Sequence, residues 1–339
     1  MRTLLKAAFA FGRFNTRFHN LFQMQCDRQL STNQVTKCPY EREKIRKEFD
    51  ENGYTILRKV ITGKVLEEVQ RHVDWLLERY PDVPPEHLHH PILRRDPFWM
   101  RLVSDSRLLD IASMFIGPHI ALFASHYFCK LPGTGKRVLW HQDGSYWPLE
   151  PMHVVSLWLS VDKATVQNGC LRVVRGSHKS ALKELQSCTK DNNVLGSHTH
   201  SDVNDDDVVN ITLDPGDVEI HHPNIIHGSE ANTSKTRRCG LTIRYIPTTT
   251  RCTNPSHPVY ILQGNDSKVN QYRSWPLFMS GYHMPFEGCE KWNSSRYVNR
   301  DDEEYLQCLT EKTLEEDVRR EVKEVIDGLQ SQRMRTQQQ

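Results

Sequence analysis

Residues 138–148 read Val138-Leu139-Trp140-His141-Gln142-Asp143-Gly144-Ser145-Tyr146-Trp147-Pro148. An apolar lead-in, a His-x-Asp triplet and an aromatic exit are the pattern of a β-strand that ends in chemistry. Side chains two apart on an extended chain point the same way, so His141 and Asp143 can converge on one metal ion. Far downstream, Pro223-Asn224-Ile225-Ile226 leads into His227-Gly228-Ser229, a second apolar approach to a sharp corner. Two imidazoles and one carboxylate on one face of a metal suit iron(II) and leave positions open for a chelating 2-oxo acid and dioxygen. Arg238 lies on the next strand-like run. Its planar fork can pair with the far carboxylate of such an acid, and Ser229 can add a hydroxyl.

The triplet form recurs at His200-Ser201-Asp202, inside a polar, acidic stretch with no apolar strand beside it, and is read there as solvated surface. His178, His221 and His222 read as structural or cavity-lining, with His222 the substitute should His227 not serve. Working outward, strands are expected over 120–131, 154–161, 170–174, 208–213, 217–221 and 240–246. Turn signals such as Asn168-Gly169 and Asp214-Pro215-Gly216-Asp217 bound them. Before them, helices are expected over 41–51, from Thr62-Gly63 onward with Val65, Leu66, Val69, Val73, Leu76 and Leu77 on one face, and over 106–115. A short strand at 54–57 follows the Asn52-Gly53 stop, and 81–91 reads as a loop. Helices first, then many short strands, argue for a mainly β fold with flanking helices, a double-sheet barrel or jelly roll. One domain is expected over 41–300, with helices to 117 and the β core over 118–250. Within it 186–207 forms a long polar loop, and 251–300 has no clear period. Residues 301–339 read as a charged C-terminal helix and tail.

The formal net charge of +2 is too near neutral to suggest a nucleic-acid partner. No apolar run is long enough to span a membrane as a helix. Nine cysteines, odd in number and without a CxxC pair, suggest neither a zinc knuckle nor a disulfide framework. Residues 1–26 carry Arg2, Lys6, Arg13 and Arg17 among Leu and Phe residues and no acidic residue, the composition of a mitochondrial transit segment; 27–40 reads as a linker. Peroxisomal and cytoplasmic locations are the alternatives.

The blocks 140–148, Asn168-Gly169-Cys170-Leu171, Gly176-Ser177-His178, Pro215-Gly216-Asp217, His227-Gly228-Ser229 and Arg238 resemble the phytanoyl-CoA dioxygenase family in order and gaps, over about 49–247. The resemblance implies a double-stranded β-helix of the jelly-roll, cupin-like kind, using iron(II) and 2-oxoglutarate, with ascorbate as a reductant. By it, His141, Asp143 and His227 are the metal ligands, and Arg238 and Ser229 hold the C5 carboxylate of 2-oxoglutarate. Gln142 and Trp158 line the same pocket. Arg237 is the alternative anchor, although strand alternation lets only one of the two arginines face inward. Related halogenases place a small residue where Asp143 stands, so hydroxylation of a small-molecule or acyl substrate by dioxygen is implied, with succinate and CO2 as co-products. Arg94-Arg95 with Trp99 and Arg101, and Lys130 with Lys136-Arg137, can grip a phosphate or coenzyme A moiety or be ordinary surface charge. Two other classes stay open: a non-catalytic β-helix that binds a metal or small molecule, and a zinc-dependent hydrolase with the same ligands.

Overall fold

A computed structural model describes residues 39–88, 95–188, 193–199, 203–295 and 323. The chain divides into two compact units, Met1–Arg42 and Glu43–Gln339. Of the first, 39–42 are described, as the opening of a helix; everything below concerns the second. The proposed transit segment, the His200-Ser201-Asp202 copy, Arg94 and most of the C-terminal tail lie outside the described residues.

Five helices are described: α1 (Pro39–Asn52), α2 (Lys64–Arg79), α3 (Pro97–Val103), α4 (Ser106–Ile116) and α5 (Cys289–Ser295). The fourteen described strands begin, in chain order, with β1 (Tyr54–Leu57), β2 (Ile120–Lys130), β3 (Val138–His141), β4 (Leu149–Glu150) and β5 (Val155–Ser160). There follow β6 (Leu171–Val174), β7 (Leu185–Ser187), β8 (Ser197–Thr199), β9 (Val208–Ile211) and β10 (Val218–His221). The last are β11 (His227–Ser229), β12 (Arg238–Pro247), β13 (Arg251–Cys252) and β14 (Tyr260–Gln263). A six-stranded sheet runs β1-β10-β5-β12-β2-β14 and a four-stranded sheet runs β3-β11-β6-β9, all antiparallel. Two facing antiparallel sheets behind a helical layer make a jelly roll, the architecture expected from the strand spacing.

The helices end where the sequence says they should. Gly53 stops α1 at φ 83°, a left-handed position that suits glycine, and its N–H reaches back to the Phe49 carbonyl at 2.7 Å. On α2 the residues Val69, Val73 and Leu76 are buried on one stripe, while Lys64 and Arg79 keep the other side wet. The helix α3 was not expected. Asp96 caps it by accepting from the N–H groups of Phe98 and Trp99, and Pro97 sits in its first turn. Trp99 and Phe98 from this helix are buried, and Trp99 donates its indole N–H to Ser125.

Strand β12 is buried along its whole length because the large sheet is covered on both faces. Leu241, Ile243 and Tyr245 point to the helical side, where Tyr245 donates to the Val103 carbonyl at 2.7 Å. Arg238, Gly240, Thr242 and Arg244 occupy the other face, toward the interior between the sheets. The inner apolar packing at one end joins Trp158 to Leu171, Val173, Ile211 and Ile225 across the two sheets. At the other end Ala121, Phe123, Val154 and Ile246 close the interior. Between these plugs lies a cavity.

Candidate metal centre and anion pocket

The cavity has a volume of about 240 Å³ and is lined by His126, Phe128, His141, Asp143, Tyr146, Trp147, Trp158, His221, His227, Ser229, Arg238 and Arg244, with smaller apolar neighbours. His141 ends β3 and His227 opens β11, and the two are direct cross-strand partners. Pairing across the small sheet therefore brings together two residues far apart in sequence. Their ring centroids are 4.1 Å apart. Asp143 is not on the strand, as the period-two argument supposed: the ladder ends at His141 and Asp143 begins a 3-10 turn, Asp143–Tyr146. Gln142 nevertheless keeps an extended backbone, φ −115° and ψ 123°, so the carboxylate still swings to the side of His141.

One potential ligand atom from each of His141, Asp143 and His227 lies within 4.8 Å of the others. All three residues are buried. Each imidazole donates its Nδ1–H to the carbonyl two residues behind it, His141 to Leu139 at 2.9 Å and His227 to Ile225 at 3.1 Å. Those bonds leave Nε2 as the bare lone pair, 3.5 Å and 3.9 Å from Asp143 Oδ1. Burial, with repulsion from His141, holds His227 well below the usual histidine range, which keeps it neutral and able to coordinate. Burial by itself would raise the Asp143 carboxyl, but Arg244 and the surrounding imidazoles hold it well below the usual carboxylate range. A divalent transition metal fits this donor set.

The second oxygen of Asp143 faces elsewhere. Oδ2 accepts from Arg244 Nη2 at 3.2 Å and lies 3.7 Å from His221 Nε2. His221 in turn meets Glu219 at 2.8 Å through Nδ1. Burial opposes charge on His221, yet Glu219 and Asp143 carry its pKa up to about 9. His221, not His222, is thus the spare imidazole beside the centre. His222 receives the Asn224 N–H and packs against Phe49 and His178 instead.

Arg238 is 2% exposed, and its Nε and Nη1 have no hydrogen-bond partner. Its guanidinium stacks on Trp158, 4.9 Å from the ring centroid. Burial draws its pKa down to about 10. An unpaired buried guanidinium beside a metal-binding face calls for an anion. Arg237, by contrast, points away and forms a bidentate pair with Asp162 at 2.7 and 3.0 Å, with Asp74 as a further partner. Trp158 lies flat over Gly240; a Cβ there would sit 2.0 Å from the indole.

Three expectations change. Gln142 does not line the cavity: its amide donates to the Asn224 carbonyl at 2.7 Å and accepts from the Lys183 N–H at 2.9 Å, tying two loops behind the site. Lys130 is no surface cation. It is fully buried and donates to Ser229 Oγ at 2.7 Å and to the Glu230 carbonyl. Burial, with Arg238 nearby, lowers its pKa to about 6. Two further members of the supposed phosphate grip are engaged elsewhere, since Trp99 is core and Arg101 is committed to Glu68 at 2.8 Å. Arg244 and His126 were missed altogether. The signal for Arg244 was its even offset from Arg238 on a strand recognised as one.

The jelly roll, the two-histidine, one-carboxylate face and the arginine beyond it define a β-helix with a candidate metal site facing a buried guanidinium. The chain belongs to the phytanoyl-CoA dioxygenase family, whose sequence model matches residues 49–240. Phytanoyl-CoA dioxygenase 1 of Oryza sativa subsp. japonica is 27% identical over 175 residues, 52% of this chain and 62% of that protein. The chain thus spans less than two thirds of that relative. Among solved structures, the non-heme monooxygenase ThoJ superposes with a TM-score of 0.61 at 18% identity, covering 84% of this chain and 99% of its own. EctD from S. alaskensis, solved with 2-oxoglutarate and 5-hydroxyectoine, gives a TM-score of 0.53 at 18% identity, covering 74% and 93%. At such identities these two likenesses concern the fold.

Proposed function

We propose that the protein is an iron(II)- and 2-oxoglutarate-dependent dioxygenase that hydroxylates a C–H bond of a small-molecule or acyl substrate. The observation that carries this reading is the coexistence, in one cavity, of the three convergent donors with the unpaired guanidinium of Arg238. His141, Asp143 and His227 would hold the metal. When bound there, iron supplies the redox chemistry that couples oxidation of 2-oxoglutarate to succinate and CO2 with insertion of one dioxygen atom into the substrate.

The chain's own part is binding and orientation. Arg238 meets the C5 carboxylate with the N–H groups that now lack acceptors. Ser229 accepts from Lys130, so its own hydroxyl proton is free to donate into the cavity toward the same carboxylate. Trp158 fixes the plane of the guanidinium. Arg244 holds the outer oxygen of Asp143 and leaves the inner one for the metal. Trp147, Tyr146 and Phe128 keep water from the reacting side. A zinc hydrolase is less well supported: Asp143 is the sole carboxylate among the described lining residues, which leaves no separate general base and no task for Arg238. Ascorbate as a reductant and a mitochondrial address over 1–26 are further parts of the proposal, the second to be tested by fractionating cells that express the full chain.

The test is succinate formation by purified protein under air with iron(II), ascorbate and 2-oxoglutarate. Turnover lost in both His141→Ala and Arg238→Ala supports the assignment. Absence of both turnover and an anaerobic iron–2-oxoglutarate charge-transfer band in the wild type overturns it in favour of a binding protein.

A further inference from the structure

Arg238 and Arg244 share the inward face of β12 but stand six residues apart. At about 3.3 Å per residue their backbones are roughly 20 Å apart. They cannot clasp one small carboxylate together, so if Arg238 anchors 2-oxoglutarate, Arg244 is left for another task. It is 7% exposed. Its Nη2 donates to Asp143 Oδ2 at 3.2 Å, and its Nη1 reaches Thr242 Oγ1 and, at 3.1 Å, His126 Nδ1. Nε, the remaining edge, is buried without an acceptor. Trp147 covers one face of the guanidinium, 5.5 Å from ring centroid to Cζ.

Charge counting on the loaded cavity leads the same way. This count rests on the oxygenase reading above. Iron(II) brings two positive charges and the two arginines bring two more. Asp143 and the dicarboxylate bring three negative charges. His221 and Glu219 are hydrogen-bonded to each other and cancel as a pair. Lys130 lies behind Ser229, outside the lining. One positive charge remains on the cavity as a whole, and with Arg238 engaged by 2-oxoglutarate the unused donor edge in the lining is Nε of Arg244. A buried cation with an unused N–H edge in a water-poor cavity is costly until an anion meets it.

We propose that the substrate carries a carboxylate that docks on the Nε edge of Arg244, placing an adjacent C–H bond near the metal face. The rest of the substrate is apolar and modest in size. Phe128, Tyr146 and Leu195 offer it no charge, and a cavity of about 240 Å³ that must also hold 2-oxoglutarate is small. The substrate class is therefore a small, largely apolar carboxylic acid, recognised directly by its acid group.

The test uses the full chain loaded anaerobically with iron(II) and saturating 2-oxoglutarate, so that no turnover is needed. Propionate, hexanoate and benzoate are each titrated beside the corresponding amide, with melting temperature and the charge-transfer band as readouts. At least one acid is expected to stabilise the loaded wild type at concentrations about tenfold below its amide. That preference should fall to near parity in Arg244→Gln and persist in part in Arg244→Lys. Acids that act no better than amides, or a preference that survives in Arg244→Gln, overturn the inference. So does loss of the band on adding acid, which would mean displacement of 2-oxoglutarate from Arg238. If Arg244→Gln does not fold, the wild-type comparison of acid with amide decides. A wild type without the band overturns the oxygenase reading and this inference together, whereas a band without acid preference overturns this inference alone.

Discussion

Arg238 and Lys130 are direct cross-strand partners on β12 and β2, two basic side chains buried side by side with no carboxylate between them. Such a pair is a poor device for stability and a good one for capturing an anion. Replacing Arg238 by Gln should weaken 2-oxoglutarate binding by about thirtyfold or more. The same variant, free of ligand, should be at least as stable as the wild type, because an unpaired buried charge has gone. Titration with 2-oxoglutarate and thermal unfolding without it check both halves. A ligand-free protein that is clearly less stable would sink the argument.

Lys130 gives the pair a pH signature. Its pKa is about 6 in the folded chain, whereas an unfolded lysine holds its proton to about pH 10. Between those values the unfolded state binds more protons, so this residue makes stability rise with pH. The opposite slope comes from His221, raised to about 9, whose contribution is complete below the ordinary histidine value and is lost as pH rises through 9. The expected observation is therefore a difference: wild type minus Lys130→Met should gain stability from pH 6 toward 10. Equal slopes in the two proteins would remove Lys130 from the account.

At Gly240 the space for a side chain is already taken by Trp158. Gly240→Ala must push the indole aside and should cost about 1–3 kcal/mol. The indole also carries Arg238, so 2-oxoglutarate affinity should fall in the same variant. A change within about 0.5 kcal/mol, the range of neutral surface substitutions, would mean the sheet yields more easily than the packing implies.

Asp96 joins the helical layer to the sheet. It caps α3, meets His72 Nε2 at 2.7 Å, and His72 Nδ1 meets the Tyr127 hydroxyl at 3.0 Å on β2. Burial raises its pKa, but His72 and the other partners win and hold it below the usual carboxylate range. Its contribution is thus present above about pH 4 and drains away as acid carries the pH down through the folded value. Asp96→Ala should cost about 2 kcal/mol or more and flatten the acid limb of the stability curve.

Much of this was legible in the chain. Alternation and turn residues marked most core strands, and the apolar context of His141 and His227 pointed to the pair that the small sheet brings together. What escaped was non-local. The burial of Lys130 follows from pairing with Arg238, which no local pattern reports. Asp143 was placed rightly for a partly wrong reason, since its direction comes from one extended residue and a 3-10 turn. Gln142, between two of the candidate ligands, was placed in the pocket by the family resemblance, although extended geometry turns every second residue away and its amide ties Asn224 to Lys183 instead. Helix α3 was readable, because Asp96-Pro97 is a start signal, but its short length hid any periodicity.

The clamp between Arg237 and Asp162 has a mechanical consequence. If β12 slipped by one position, Cys239, Leu241, Ile243 and Tyr245 would face the cavity, and both arginines that line it would leave at once. The outward arginine, gripped by Asp162 at 2.7 and 3.0 Å, works as an indexing pin on a ruler whose two marks must stay aligned together. Loosening a partly buried ion pair outside the cavity would then disturb both proposed anion contacts without touching either.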